Sequence, residues 1–109
     1  MNLQGQRDLL LLTEVERDGG VTQRSLAAKL GVALGLANLY LKRLVRNGYI
    51  AITTIPSRRI RYVLTPEGSA EKSRLTSLRL EYALSHYREL RAQLREALSQ
   101  MAQNGMKRV

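Results

Sequence analysis

The segment Thr22-Gln23-Arg24-Ser25-Leu26-Ala27-Ala28-Lys29-Leu30-Gly31-Val32, followed by Ala33-Leu34-Gly35-Leu36-Ala37-Asn38-Leu39-Tyr40-Leu41, decides the fold. Thr22 can cap a helix from Gln23 to Leu30 with Leu26, Ala27 and Leu30 on one face, and Gly31 ends it. Val32 enters a sharp turn. A further helix from about Leu34 to Arg46 buries Ala37, Tyr40, Leu41, Leu44 and Val45 and stops at Asn47-Gly48. Two helices joined this tightly need a small residue where they touch, a glycine for the left-handed backbone of the turn, and apolar residues beneath. Ala27, Gly31, Val32, Ala37 and Leu41 supply these in order, which is the pattern of a helix-turn-helix.

Working outward, Leu9, Leu12 and Val15, with Leu10 and Leu11 beside them, predict a helix from Leu3 to Arg17 that Asp18-Gly19-Gly20 terminates. Downstream, Tyr49 to Ile55 and Ile60 to Leu64 are rich in β-branched and aromatic residues, and Pro56-Ser57-Arg58-Arg59 between them reads as a hairpin connection. Thr65-Pro66-Glu67 then offers a capping hydroxyl, a proline at the first helical position and an acid in the first turn. No proline or glycine follows Gly68 until Gly105, so a helix from Pro66 to about Gln103 is expected, running ~57 Å at ~1.5 Å per residue. That is too long to pack wholly on so small a globule. The fold class expected is mainly α with a small β-hairpin wing. A winged helix-turn-helix fills residues 1–65, a long coiled-coil-like dimerisation helix residues 66–103, and a frayed tail residues 104–109.

Composition narrows the function. A chain of 109 residues, 44% hydrophobic and 25% charged, can bury a modest core but excludes a two-domain enzyme. There is no cysteine, which removes disulfides, thiolate zinc sites and thiol redox chemistry, and the single histidine, His86, cannot build a multi-histidine metal cluster. No metal, no cofactor and no catalytic site are expected, because no nucleophile elbow, phosphate loop or paired-acid context is present. No apolar run is long enough to span a bilayer, and Met1 to Arg7 lack a signal-peptide layout, so a cytoplasmic protein without membrane partners is expected.

Eighteen Lys and Arg against nine Asp and Glu give a formal charge of +9, which points to a polyanion. No acid occurs between Asp18 and Glu67, an interval that holds Arg24, Lys29, Lys42, Arg43, Arg46, Arg58, Arg59 and Arg61 without opposition. A solvated face is the alternative, but such faces normally mix signs. On the third helix, the side opposite Ala37, Leu41 and Leu44 carries Gly35, Leu39, Lys42 and Arg46, flanked by Leu36, Asn38 and Arg43, with Leu34 in the first turn. Asn38 can pair bidentately with adenine, the leucines can touch a thymine methyl, and Lys42 or Arg43 can reach guanine or phosphate, so the preferred site leans to A/T. Leu36 and Leu39 can instead form a protein contact. Ser57, Arg58, Arg59 and Arg61 lie at or beside the wing tip, where arginine can enter a minor groove or clamp phosphate; a merely solvated turn is the alternative.

Along the last helix Leu80, Ala83, Tyr87, Leu90, Leu94, Ala97 and Met101 recur alternately three and four residues apart, and Leu84 and Leu98 broaden the stripe. This is the spacing of a coiled-coil seam, which a two-fold homodimer buries. A cap folded back on the same chain is the alternative.

These residues resemble the MarR-type winged-helix transcription regulators over about Leu9 to Leu94. Thr22 to Val32 looks like that family's second helix and turn. Leu41-Lys42-Arg43-Leu44 with Gly48-Tyr49-Ile50 resembles its third helix running into the wing, and Leu64-Thr65-Pro66-Glu67-Gly68 its post-wing helix start. Leu34-Gly35, Asn38, Leu41-Lys42, Tyr62 to Gly68, Glu71-Lys72 and Leu75-Thr76 further resemble a small subgroup associated with exopolysaccharide gene clusters. The family usually has serine or threonine capping the reading helix and polar residues on its exposed face, where this chain has Ala33, Leu36 and Leu39. The resemblance implies a homodimeric regulator of double-stranded DNA and leaves room for a small-molecule effector, which no constellation of residues identifies. The rival reading is a winged-helix protein-interaction or architectural module with nonspecific nucleic-acid binding. RNA binding stands lowest, for want of a stacking sheet.

Overall fold

The computed structural model of the chain describes residues 1–54 and 60–107. The elements follow in the order α1 (Leu3–Arg17), α2 (Gln23–Leu30), α3 (Leu34–Arg46), β1 (Ile50–Thr54), β2 (Ile60–Leu64) and α4 (Pro66–Lys107). Local chemistry sets their ends. Asn2 Oδ1 accepts the Gly5 N–H at 2.8 Å at the start of α1. Thr22 and Ser25 cap α2 reciprocally: the Ser25 N–H donates to Thr22 Oγ1 at 3.0 Å, and the Thr22 N–H donates to Ser25 Oγ at 3.1 Å. Gly31 adopts φ +69°, and the Val32 N–H turns back to the Ala27 carbonyl at 3.1 Å, which closes α2 and aims the chain into α3. Ala33 caps α3 with no side-chain hydrogen bond, so this turn depends on Gly31.

β1 and β2 pair antiparallel, with Ile50 opposite Leu64 and Ile52 opposite Tyr62. Ile50 and Tyr62 point inward and are buried, while Arg61 and Val63 take the other face and are exposed. The Tyr62 N–H donates to the Gly19 carbonyl at 3.0 Å, which fastens the loop after α1 to β2. Thr65 ties the next junction, its hydroxyl accepting from the Gly68 N–H at 2.9 Å and donating to the Gly48 carbonyl at 2.6 Å. Gly68 is required here, because a Cβ on it would lie 2.0 Å from the Tyr49 carbonyl oxygen.

The core joins Leu9, Leu11, Leu12 and Val15 of α1 to Leu26, Leu41, Leu44, Ile50, Tyr62 and Leu75. Tyr40 and Val45, expected inside, are only partly buried at its margin. Leu75 belongs to α4, and its Cδ2 lies 3.6 Å from where a Cβ on Gly5 would sit, so the first turns of α4 pack with α1. The compact unit accordingly runs from Met1 to Ser77, past the boundary at residue 65 that the sequence suggests.

The second unit begins at Leu78 and is helical. The helix continues through Gly105 to Lys107 rather than ending near Gln103. A helical glycine weakens the segment by ~1 kcal/mol but ends it only when the backbone turns left-handed, and Gly105 does not. No described helix is long and apolar enough to cross a membrane.

Candidate nucleic-acid interface

α3 follows the Gly31 turn with Ala37, Leu41 and Leu44 buried beneath it. Its opposite side presents Gly35, Leu39, Lys42 and Arg46, all exposed, in the line that the helical period requires. Leu34 and Leu36 are exposed beside this line, and Leu39 is the most open of the three leucines at 62%. Asn38 is half-buried at the edge of the face. Arg24 is exposed in the first turn of α2, and Arg61 is exposed on β2, its side chain lying against Gly19. Ser57, Arg58 and Arg59 fall outside the described residues. Among the described residues Arg24, Lys42, Arg46 and Arg61 make no ion pair.

The acid-free interval is not unopposed in three dimensions. Arg43, expected to reach guanine or phosphate, has its Nη2 2.5 Å from Asp8 Oδ1, and its Nε is buried without a partner. The same guanidinium lies 5.9 Å from the centroid of the Tyr40 ring, and that of Arg7 lies 4.8 Å from it. Burial pushes the Asp8 carboxyl above its ordinary value, against the pull of Arg43. Lys29 Nζ is 2.5 Å from Glu14 Oε2, and Arg17 Nη2 is 2.8 Å from the same oxygen. The hydrogen bond from Lys29, helped by Arg17, holds Glu14 below its ordinary value despite burial. Burial also pushes Glu71 up, but hydrogen bonding to Arg74 and Tyr49 outweighs it and leaves that carboxyl lowered.

Sequence reasoning assigned no part to Asp8 and Glu14, which lie 35 and 15 positions from the cations they meet. The available signal was periodicity: each acid sits three residues from Leu11, on the apolar side of α1.

On α4, every side chain from Thr76 to Gly105 is exposed in the single chain. The expected seam is therefore open, with Leu80 at 59%, Leu94 at 60% and Met101 at 68%, and Ala83, Leu84, Tyr87, Leu90, Ala97 and Leu98 exposed between them. Near the start of α4 an open groove of about 400 Å³ is lined by Glu16, Ser69, Lys72, Ser73, Thr76 and Ser77, and a 3.1 Å Lys72–Glu16 ion pair lies along it. Its hydroxyls and single ion pair define no ligand class.

Residues 6–51 match the family described as winged helix-turn-helix DNA-binding. With the hairpin that follows α3, that match decides the fold. The domain is a winged helix. No curated protein matches the sequence. Solved structures do match in fold. The MarR family protein Rv2887 of Mycobacterium tuberculosis, in complex with p-aminosalicylic acid, aligns with a TM-score of 0.64 at 21% identity, over 88% of this chain and 77% of its own. A MarR transcriptional regulator of Methanosarcina mazei gives 0.62 at 22% identity, over 94% and 78%. MepR, a regulator of the Staphylococcus aureus multidrug efflux pump MepA, gives 0.60 at 24%, over 93% and 79%. The winged helix of this chain is thus similar in fold to those of MarR regulators.

Proposed function

We propose that this chain is a MarR-type transcription regulator that binds double-stranded DNA selectively as a homodimer. The observation that carries this reading is the exposed line Gly35, Leu39, Lys42 and Arg46 on α3, directly after the Gly31 turn. In the major groove that line brings apolar contact and two cations to the bases and phosphates, with Leu34, Leu36 and Asn38 alongside. Arg24 meets the backbone, and Ser57, Arg58, Arg59 and Arg61 of the wing meet the minor groove or the backbone. The seam of α4 supplies the two-fold partner, so that one reading helix meets each half-site. Within the MarR regulators, Leu34-Gly35 with Asn38, and Tyr62 to Gly68, favour the exopolysaccharide-associated subgroup.

The exposure of Leu34, Leu36 and Leu39 favours one competing reading, an interaction module that binds DNA only through charge. Fluorescence anisotropy with a genomic fragment pool at two salt concentrations separates them. The regulator reading expects a subset of fragments bound more tightly than bulk DNA at both concentrations. Equal affinity for all fragments at both salts rejects it in favour of the module.

A further inference from the structure

We infer that the two α4 helices of the dimer run antiparallel, with Tyr87 packed on the partner's Ala97, Ala83 on the partner's Met101 and Leu90 on the partner's Leu94. The inference rests on the proposed dimer and adds its orientation. Seam positions in order are Leu80, Ala83, Tyr87, Leu90, Leu94, Ala97 and Met101, all exposed and uncovered in the single chain. A parallel pair sets each residue against its own copy. Two layers would then hold only alanines, at Ala83 and Ala97, while the layer at Tyr87 would hold two aromatic rings. Neighbouring layers would differ so much in volume that helices at one spacing leave cavities at the alanines or clash at the tyrosine. The antiparallel register gives each alanine a large partner and sets leucine on leucine at the centre.

The flanks choose the same orientation. Leu84 and Leu98 border the seam on one side and are 46% and 55% exposed. In the antiparallel register each lies beside the other across the pair, so Leu84 meets the partner's Leu98. In a parallel pair the opposing flank is polar: Leu84 would face the partner's Arg79, and Leu98 the partner's Gln93. Arg91 alone favours the parallel pair, because the antiparallel register sets it beside its own charged copy and the parallel one beside the partner's His86, which carries no formal charge at pH 7. This single exposed position weighs less than the volume match of the seam and the two Leu84–Leu98 contacts.

The chain has no cysteine, so single-cysteine variants report one distance cleanly. Ala83→Cys and Met101→Cys chains are expressed separately and together, treated with a short bismaleimide and run on denaturing gels, with sedimentation of each sample in parallel. The co-expressed pair is expected to crosslink. Ala83→Cys alone is expected to stay uncrosslinked, since Ala83 and the partner's Ala83 are then ~27 Å apart along the helices at ~1.5 Å per residue. Crosslinking of Ala83→Cys or Met101→Cys alone overturns the orientation, and dimers that crosslink in no combination overturn the register. Monomers throughout in sedimentation reject the dimer itself, a separate failure.

Discussion

Asp8 and Glu14 are both carboxylates of α1 facing a cation, yet they titrate in opposite directions, because burial wins at Asp8 and the Lys29 hydrogen bond wins at Glu14. Asp8 is raised in the folded chain, so its contribution favours folding below the unfolded carboxylate value and is lost as pH rises through the folded one. Glu14 and Glu71 are lowered, so their contributions are present above the unfolded value and are lost as pH falls through the folded ones. On acidification, then, Asp8 offsets part of what Glu14 and Glu71 lose. Urea unfolding of Asp8→Asn between pH ~7 and ~3 is expected to show a steeper loss of stability than the parent chain, and Glu14→Gln a shallower one. Parallel curves for all three chains would show that these pairs do not govern the acid limb. Asn38 and the wing arginines separate in another way. Asn38→Ala would remove the proposed base contact and no charge, so it is expected to weaken the preferred site by ~1 to 3 kcal/mol while nonspecific binding holds. Arg58→Ala with Arg59→Ala should instead weaken all sequences alike and flatten the salt slope by up to ~2 units. If site preference survives Asn38→Ala, recognition rests with Lys42 or with DNA shape.

At the scale of elements the helix ends were legible because each carries its own signal: the Thr22 cap, Gly31, Asn47-Gly48 and Thr65-Pro66 each act on the nearest backbone groups. What was not legible was long-range. The role of Leu75 depends on α1 passing over the start of α4, and nothing in the spacing of α4 separates residues 66–77 from the open helix beyond. The glycines make the same point. Gly68 sits in the third position of α4, where alanine is the better helix former, but an added Cβ would meet the Tyr49 backbone. Gly68→Ala is expected to lower stability by ~1 to 3 kcal/mol in thermal or urea unfolding, whereas Gly105, with open space around it, should accept alanine without loss. A Gly68→Ala chain as stable as its parent would mean that the junction of α4 yields easily. The seam of α4 is tested by Leu90→Glu with Leu94→Glu, which puts charges into two adjacent layers. Sedimentation should then give a monomer, and an unchanged dimer mass would place the interface elsewhere.

For the whole molecule, net charge is a weaker guide than the pairing of charges. The sequence places eight cations in an interval without acids, but Lys29 and Arg43 meet Glu14 and Asp8 from α1. Among the described residues that leaves Arg24, Lys42, Arg46 and Arg61 without an ion pair, and the proposed wing contacts of Arg58 and Arg59 bring the cations proposed to meet phosphate to six. A linear reading cannot see this, because both acids lie upstream of the interval and reach it only through the packing of α1. The pairing has a measurable consequence. Each phosphate neutralised contributes ~0.9 to the slope of log affinity against log salt, so six cations set an upper bound of ~5 per domain, against ~7 if all eight took part. A dimer that engages both domains doubles the bound to ~10, and the Leu90→Glu, Leu94→Glu chain should fall to half the parent's slope while its winged helix stays folded by circular dichroism. The halving separates a two-domain clamp from one domain binding alone with an idle partner, because only the clamp loses phosphate contacts when the seam is broken. If the monomeric variant keeps the parent's full slope, the second domain never touches the duplex, and α4 joins copies for some purpose other than reading two half-sites.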